Sequence, residues 1–490
     1  MKGYKKIYHP LVLAALLIAT VLFGFFIGKG GIKIAMVCLA IFPALIYINR
    51  FFNHPQIGIY SILIMGFLAI GISRYVPNVP FGLSIDGLLV LTYIAVYFRH
   101  FYSEVNWRYA NRDLTYLMII WFMYSIAQLF NPEALSRTAW FYAMRGMSLY
   151  SLLLIPLCFM IFNRLRYMMV FLYIYAFFSI MASLKGMQQI YIGLDAAEQF
   201  WIDTIGGITH VLFGELRAFS FLSDAGQFGA SQGAAGVVGI LVAMNIRGFF
   251  NKGLFYAMGF LGLWGMMISG TRGAIIVPML GFTVYILHRK NFRVLFFGGI
   301  FLAFTYVFFA HTYIGEGNAQ IRRMRTAFRP EEDASYMVRL ENRRILSGYL
   351  ASRPFGGGIG SAGDWGQRFS PQGFLAQVAT DSWYVQIWAE QGIIGLILHL
   401  IILCYIVIKG SYIVMFRLRH QELRGIVSAL MGGFVGIIGA SYGNGVLGQN
   451  PSGIILYISW GFFMMATQLE REYVYLTENK KNPWSLTTND

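Results

Sequence analysis

Residues 383–408 read WYVQIWAEQGIIGLILHLIILCYIVI, with one carboxylate (Glu390), one histidine (His399) and no lysine or arginine. A helix rises 1.5 Å per residue, so a run this long crosses the roughly 30 Å of a bilayer's hydrocarbon. The same texture fills the rest of the chain. Of its 490 residues, 57% are hydrophobic and 12% charged, with 43 Phe and 30 Tyr. Ordinary soluble domains carry about 25% charged residues. This composition excludes a cytosolic globular enzyme, a disordered chain and a secreted disulfide scaffold. The apolar runs are continuous rather than alternating, which excludes a β-barrel. Cys38, Cys158 and Cys404 lie inside apolar runs without CxxC or CxxH spacing, so no metal site is expected from them.

The expected fold is an all-α polytopic integral membrane protein of about fourteen transmembrane helices, treated as one membrane domain over 1–490. The spans fall near 11–28, 32–48, 56–72, 80–98, 114–130, 144–162, 167–184, 229–246, 253–269, 273–287, 292–310, 383–408, 424–441 and 452–468. The first run continues through Phe25-Phe26-Ile27 without a small-residue cleavage site and reads as an anchor.

The net charge is +16, and its distribution sets orientation. Lys2, Lys5, Lys6, Arg50, Arg99, Arg108, Arg112, Arg164 and Arg166 fall on one side, in short segments after every second span. Arg247, Lys252, Arg289, Lys290, Arg293, Lys409, Arg417, Arg419, Arg424, Arg471, Lys480 and Lys481 continue the pattern. Cytoplasmic loops are enriched in such residues, so both termini are expected inside, with a cytoplasmic tail over 469–490. The other side carries two long loops, 185–228 and 311–382. Apolar periodicity around Met337–Leu350 makes the larger loop partly helical. Its Gly356–Gly360 run is not a phosphate-binding P-loop, because no Lys-Ser/Thr follows.

The outer charges are unusual in kind. Loop 311–382 has Arg322, Arg323, Arg325, Arg329, Arg339, Arg343, Arg344, Arg353 and Arg368 but no lysine. Arginine forks bind phosphate bidentately, whereas lysine acts as a point charge; contact with anionic lipid head groups is the plainer alternative. Arg272 sits in the tight turn Ser269-Gly270-Thr271-Arg272-Gly273, either snorkelling to the interface or binding an anion. Arg217 precedes the eighth span and has Glu215 and Asp224 as possible salt-bridge partners. Asp381 opens the helix quoted above. There it serves either as an N-cap carboxylate or as an acid–base group, with Gln386 and Glu390 on one helical face. His210 and His311 are also expected outside, as are Trp383, Tyr384 and Trp365, whose rings suit either sugar stacking or an interfacial aromatic belt.

Taken in order, these pieces resemble the O-antigen ligase and polymerase superfamily of bacterial membrane glycosyltransferases. Arg217 ahead of a small-residue span, the Ser269–Gly273 turn, Arg339 followed by Pro354, Gly358 and Gly360, and Asp381–Gln386 followed by Glu390-Gln391-Gly392 and Gly395 carry the resemblance over about 210–400. Two positions depart from the ligase pattern. Asp381-Ser382 stands where ligases have His-Asn, and Ser223-Asp224-Ala225 where they often have Pro-Asn. An aspartate there is more similar to exopolysaccharide or O-antigen polymerase relatives.

The resemblance implies a multi-pass enzyme of the bacterial inner membrane that makes surface polysaccharide, exopolysaccharide or lipopolysaccharide of the cell envelope. The enzyme would move a glycan from a polyprenyl-pyrophosphate (undecaprenyl-pyrophosphate) donor to a glycan, lipid or protein hydroxyl. Transfer would occur on the extracytoplasmic face, with inversion and without metal or cofactor. Arg217 and Arg272 would stabilise the leaving pyrophosphate. Asp381 is the leading base and Glu215 the second. Arg339, Tyr384, Trp383, Gln386, His210 and His311 complete the expected substrate contacts. No nucleic-acid partner is expected. Protein O-oligosaccharyl transfer by the same superfamily and flipping of a lipid-linked oligosaccharide are the alternatives; a flippase predicts two similar halves and charges in a central cavity.

Overall fold

The computed structural model describes residues 17, 24–25, 28, 31, 39–76, 79–102, 105–212, 214–317, 319–328, 334–479 and 483–484. The expected span 11–28 lies almost wholly outside the described residues, as do the start of 32–48, Arg329 and the terminal lysines. The first described helix is α1 (Leu39–Asn53). Five more precede the first long loop: α2 (Gln56–Tyr75), α3 (Leu83–His100), α4 (Asp113–Ala127), α5 (Arg137–Ile161) and α6 (Leu165–Tyr191). After a short α7 (Ala196–Trp201) come α8 (Ala225–Asn245), α9 (Phe249–Ile268), α10 (Ile276–Arg289) and α11 (Phe292–His311). The second loop folds as α12 (Ala319–Arg325), α13 (Ala334–Leu350), α14 (Gly363–Phe369) and α15 (Phe374–Gln377). The chain closes with α16 (Trp383–Tyr412), α17 (Gln421–Ala440) and α18 (Ser452–Glu478).

Lipid cannot hydrogen-bond exposed backbone, so helices satisfy it internally wherever the apolar runs fall. Each expected span from 56–72 onward coincides with a helix. The count of fourteen is not confirmed: among the described residues, nine helices are long and apolar enough to cross a membrane. Helices α3, α9 and α10 occupy expected spans without joining those nine. Helix α10 has only 14 residues, because the chain first makes a tight 3-10 turn over Arg272–Ile275. Two boundaries also move. Helix α6 runs on to Tyr191, and α18 continues through the expected polar tail to Glu478.

Helix α8 is the hub, packed against α9 on one side and α17 on the other. Without a hydrophobic drive between helices in lipid, close backbone approach supplies much of the association, and small residues permit it. A Cβ on Gly239 would lie 2.5 Å from the Gly259 nitrogen, and one on Gly262 2.7 Å from the Gly236 nitrogen. The outermost contrast is α11, which has no buried residue and presents its phenylalanines outward. An ion pair among the early helices joins Arg145 to Asp86 at 2.7 Å, with the Tyr150 hydroxyl donating to the same carboxylate. His399 is buried in the core, where the Trp383 indole donates to it at 3.1 Å.

Charged groups collect at the two ends of the bundle. At one end Arg247, Tyr473 and Trp484 converge on Glu422, Lys409 pairs with Asp113, and Glu470 accepts from the backbone of Arg419 and His420. At the other end lie Arg217, Arg272, Arg323 and Arg339.

Candidate active site

The site is assembled where four chain segments meet: the 202–224 loop, the α9–α10 turn, the arginine-rich second loop and the α17–α18 turn. The first segment winds through helical turns at Ile202–Gly206 and Gly207–His210. A two-stranded antiparallel hairpin follows, pairing β1 (Val211–Leu212) with β2 (Glu215–Leu216). Arg217 follows β2 directly, its backbone N–H donating to the His210 carbonyl at 2.8 Å. The next residue is tied to the end of α9, with Ala218 N–H donating to the Ile268 carbonyl.

Arg217 is held by its own fork. Its Nε donates to the Ser269 carbonyl at 3.3 Å, Nη1 to the Thr209 carbonyl at 3.1 Å and Nη2 to Thr271 Oγ1 at 2.9 Å. Thr271 Oγ1 donates onward to the Ala225 carbonyl at the start of α8. The expected salt bridge to Glu215 or Asp224 does not form. Asp224 instead caps α8, accepting from the Gln227 N–H at 2.9 Å and from Ser223 Oγ at 2.8 Å. Glu215 is exposed on the hairpin.

Arg272 projects from the same tight turn, its Nη1 donating to Thr326 Oγ1 at 3.3 Å. Gly270 sits at φ +58°, and Arg323 Nη1 lies 3.2 Å from where its Cβ would be. Arg323 therefore lies over the turn that carries Arg272. Burial first, then the like charges of Arg323, Arg272 and Arg339, lower the Arg217 pKa to about 10 against the opposing charge of Asp224. Arg323 is pushed down by burial and by Arg272, with Glu215 opposing. These arginines gather more positive charge than the nearby carboxylates neutralise.

Asp381 is not the N-cap of α16. Ser382 occupies that position without a side-chain cap, its hydroxyl donating to the Ser441 carbonyl, and the Asp381 carboxylate turns to Arg339 Nε at 3.2 Å. Arg339 reaches the α17–α18 turn beside Gly443, where Arg343 also donates to the Tyr442 hydroxyl at 2.6 Å. The remaining expected contacts divide. Gln386 faces the start of α14, its Nε2 lying 3.8 Å from where a Gly363 Cβ would be. Trp383 turns inward against Gly448 and His399, which leaves it no face for a ligand. Tyr384 donates its hydroxyl to the Ile438 carbonyl.

The two histidines lie in different settings. His210 is buried between Trp201 and Phe219, its Nδ1 2.9 Å from the Gly206 carbonyl; burial lowers its pKa, so the ring is neutral and structural. His311 is exposed at the end of α11, edge-on to Tyr306, and does not join the arginines.

Three groups were missed in the sequence. Asn444 reaches both Gly226 and Gly273, tying α8 to the Arg272 turn. Asp364 opens α14. Arg74, at the end of α2, donates to the carbonyls of Ser220, Leu222 and Ser223, with its guanidinium over Trp201 and Phe219. A basic residue closing an apolar helix is common, so nothing local marks Arg74. Arg74→Ala is expected to raise hydrogen–deuterium exchange across 219–224 at least about tenfold, since a bond to a charged donor contributes about 1.5 kcal/mol or more. Unchanged exchange there contradicts the clamp.

The arginine cluster thus lies at one end of an all-α, multi-pass membrane bundle. Residues 257–400 match the family model for O-antigen ligase, which supports the O-antigen ligase superfamily and indicates a glycosyltransferase-like enzyme. The matched segment contains Arg272, Arg323, Arg339, Asp364 and Asp381; Arg217 lies ahead of it. No curated protein matches the chain.

Proposed function

We propose that this chain is an inverting, metal-independent glycosyltransferase of the bacterial inner membrane. It moves a glycan from a polyprenyl-pyrophosphate carrier to an acceptor hydroxyl on the extracytoplasmic face, in polysaccharide polymerisation or O-antigen ligation. The observation that carries this reading is the gathering of Arg217, Arg272, Arg323 and Arg339, each bringing like charge to a partly desolvated place. Such a cluster is costly unless an anion completes it. A pyrophosphate is the right size and charge, and its lipid tail would be held among the apolar helices. Three of the five N–H groups of Arg217 are spent on protein; the two that remain sit on the terminal nitrogens. Such fixed donors stabilise charge as it develops on the leaving group without reorganising. Asp381 contributes as the counter-charge that orients Arg339. The basic segments at the opposite end support an orientation with both termini inside.

The test uses the full-length protein in lipid nanodiscs. Undecaprenyl pyrophosphate is expected to raise its melting temperature, whereas undecaprenol is not. Arg217→Ala and Arg272→Ala are expected to lose the shift. Equal shifts with both lipids, or none with either, overturn the pyrophosphate assignment.

A further inference from the structure

A displacement at the sugar carbon needs a group to take the acceptor proton, and the carboxylates around the arginines are mostly spent. Asp381 is paired with Arg339. Asp224 accepts from the Gln227 N–H and Ser223 Oγ, and Gln449 Nε2 lies 3.4 Å from it. Glu215 is exposed on the hairpin, where its charge opposes that of Arg323. Glu390 is fully buried and accepts from the Ala362 N–H, which fixes the turn leading into α14. Asp364 remains. Its carboxylate makes no hydrogen bond or ion pair among the described residues, and it keeps contact with solvent while the surrounding protein partly desolvates it.

The placement of Asp364 is rigid and central. The next residue, Trp365, stacks on Tyr142 at 5.0 Å, and Phe369 stacks on the same ring at 5.5 Å, so α14 is pinned to α5. Gly363 brings the start of α14 against Thr380 and Gln386. The start of α14 thus stands beside Thr380, next to the Asp381 carboxylate that pairs with Arg339 at 3.2 Å.

We propose that Asp364 is the catalytic base, receiving the proton of the acceptor hydroxyl. This assignment rests on the transferase reading above. The acceptor oxygen forms a bond to the anomeric carbon of the donor glycan. The bond from that carbon to the pyrophosphate oxygen breaks, and its electron pair leaves with polyprenyl pyrophosphate into the arginine cluster. The acceptor proton passes to Asp364, so no co-reactant is needed. A carboxylate without fixed partners keeps its lone pairs for substrate, whereas an ion-paired one does not.

Charge around α14 has a direction. Arg137 and Arg145 lie on α5, Asp381 lies before α16, and Arg368 lies on α14 itself. Burial, followed by Asp224, raises the Asp364 pKa. A raised carboxylate binds its proton at higher pH, so base function falls as pH drops through that raised value.

The deciding experiment measures transfer by the full-length protein from lipid-linked glycan extracted from cells lacking this chain. Undecaprenyl pyrophosphate binding is measured alongside. Asp364→Asn is expected to keep binding and to lose at least about 100-fold in turnover, the scale of a missing base. Its residual rate is expected to lack the acidic limb of the wild-type pH profile. Asp364→Glu is expected to restore part of the rate and a displaced limb. Asp381→Asn is expected to lower the rate while keeping the limb. Wild-type turnover in Asp364→Asn, or a limb that vanishes only in Asp381→Asn, overturns the assignment. Loss of undecaprenyl pyrophosphate binding by the wild type is a different failure, that of the transferase reading.

Discussion

Arg217→Lys is expected to lower glycan transfer nearly as far as Arg217→Ala, by about 100-fold to 1000-fold, the range seen when one fixed donor is removed from a developing charge. The reason is geometric. The guanidinium spans the Thr209 carbonyl, the Ser269 carbonyl and Thr271 Oγ1 at once, and keeps two further N–H groups for ligand. An ammonium is a compact charge with three donors and cannot reach all three partners. Lysine therefore keeps the charge and loses the aim. The measurement is turnover of extracted lipid-linked glycan by purified variants, with circular dichroism to confirm folding. A lysine variant within tenfold of wild type refutes the fork and leaves only a charge requirement.

Gly392→Ala is expected to be among the most destabilising single changes in the chain, by about 3 kcal/mol or more. Gly392 has φ +68° and ψ −172°, a region essentially open to glycine alone, and it kinks α16. A Cβ there would lie 2.0 Å from the Pro354 carbonyl oxygen and 2.5 Å from the Gly356 nitrogen. Both are backbone atoms, so no side chain can yield. The kink lets the glycine run dock on α16, where Gly357 and Gly358 donate to the Ala389 and Glu390 carbonyls. Melting of detergent-solubilised protein reads the effect. Gly253→Ala is the control: a Cβ there meets nothing within 4 Å, and alanine favours the helix by about 1 kcal/mol. Equal melting temperatures for the two variants contradict the clash.

The helices were legible because lipid demands long apolar runs, and those from 56–72 onward stand out above every other signal. Their number was less legible. At α10 the membrane-facing run is shortened by a tight turn that serves Arg272, and hydropathy does not register that turn. Arg217 and Arg272 stood out as charges placed against the topological bias. Asp381 was legible as an important position but not as Arg339's partner, because the two lie 42 residues apart and only the folded loop brings them together. Asp364 left no local trace. It is one carboxylate in a polar, glycine-rich loop, and its standing depends on what the other carboxylates are already doing.

The glycine seam of α8 bears on how this protein fails. The helix most tightly locked into the bundle also begins at Ala225, whose carbonyl holds the Thr271 hydroxyl on which Arg217 is anchored. The heart of the bundle and the anion cluster thus share one rod. Warming that loosens the α8–α9 seam would spoil the aim of Arg217 in the same event, so heat inactivation and loss of fold should coincide, with no folded but inert species between them.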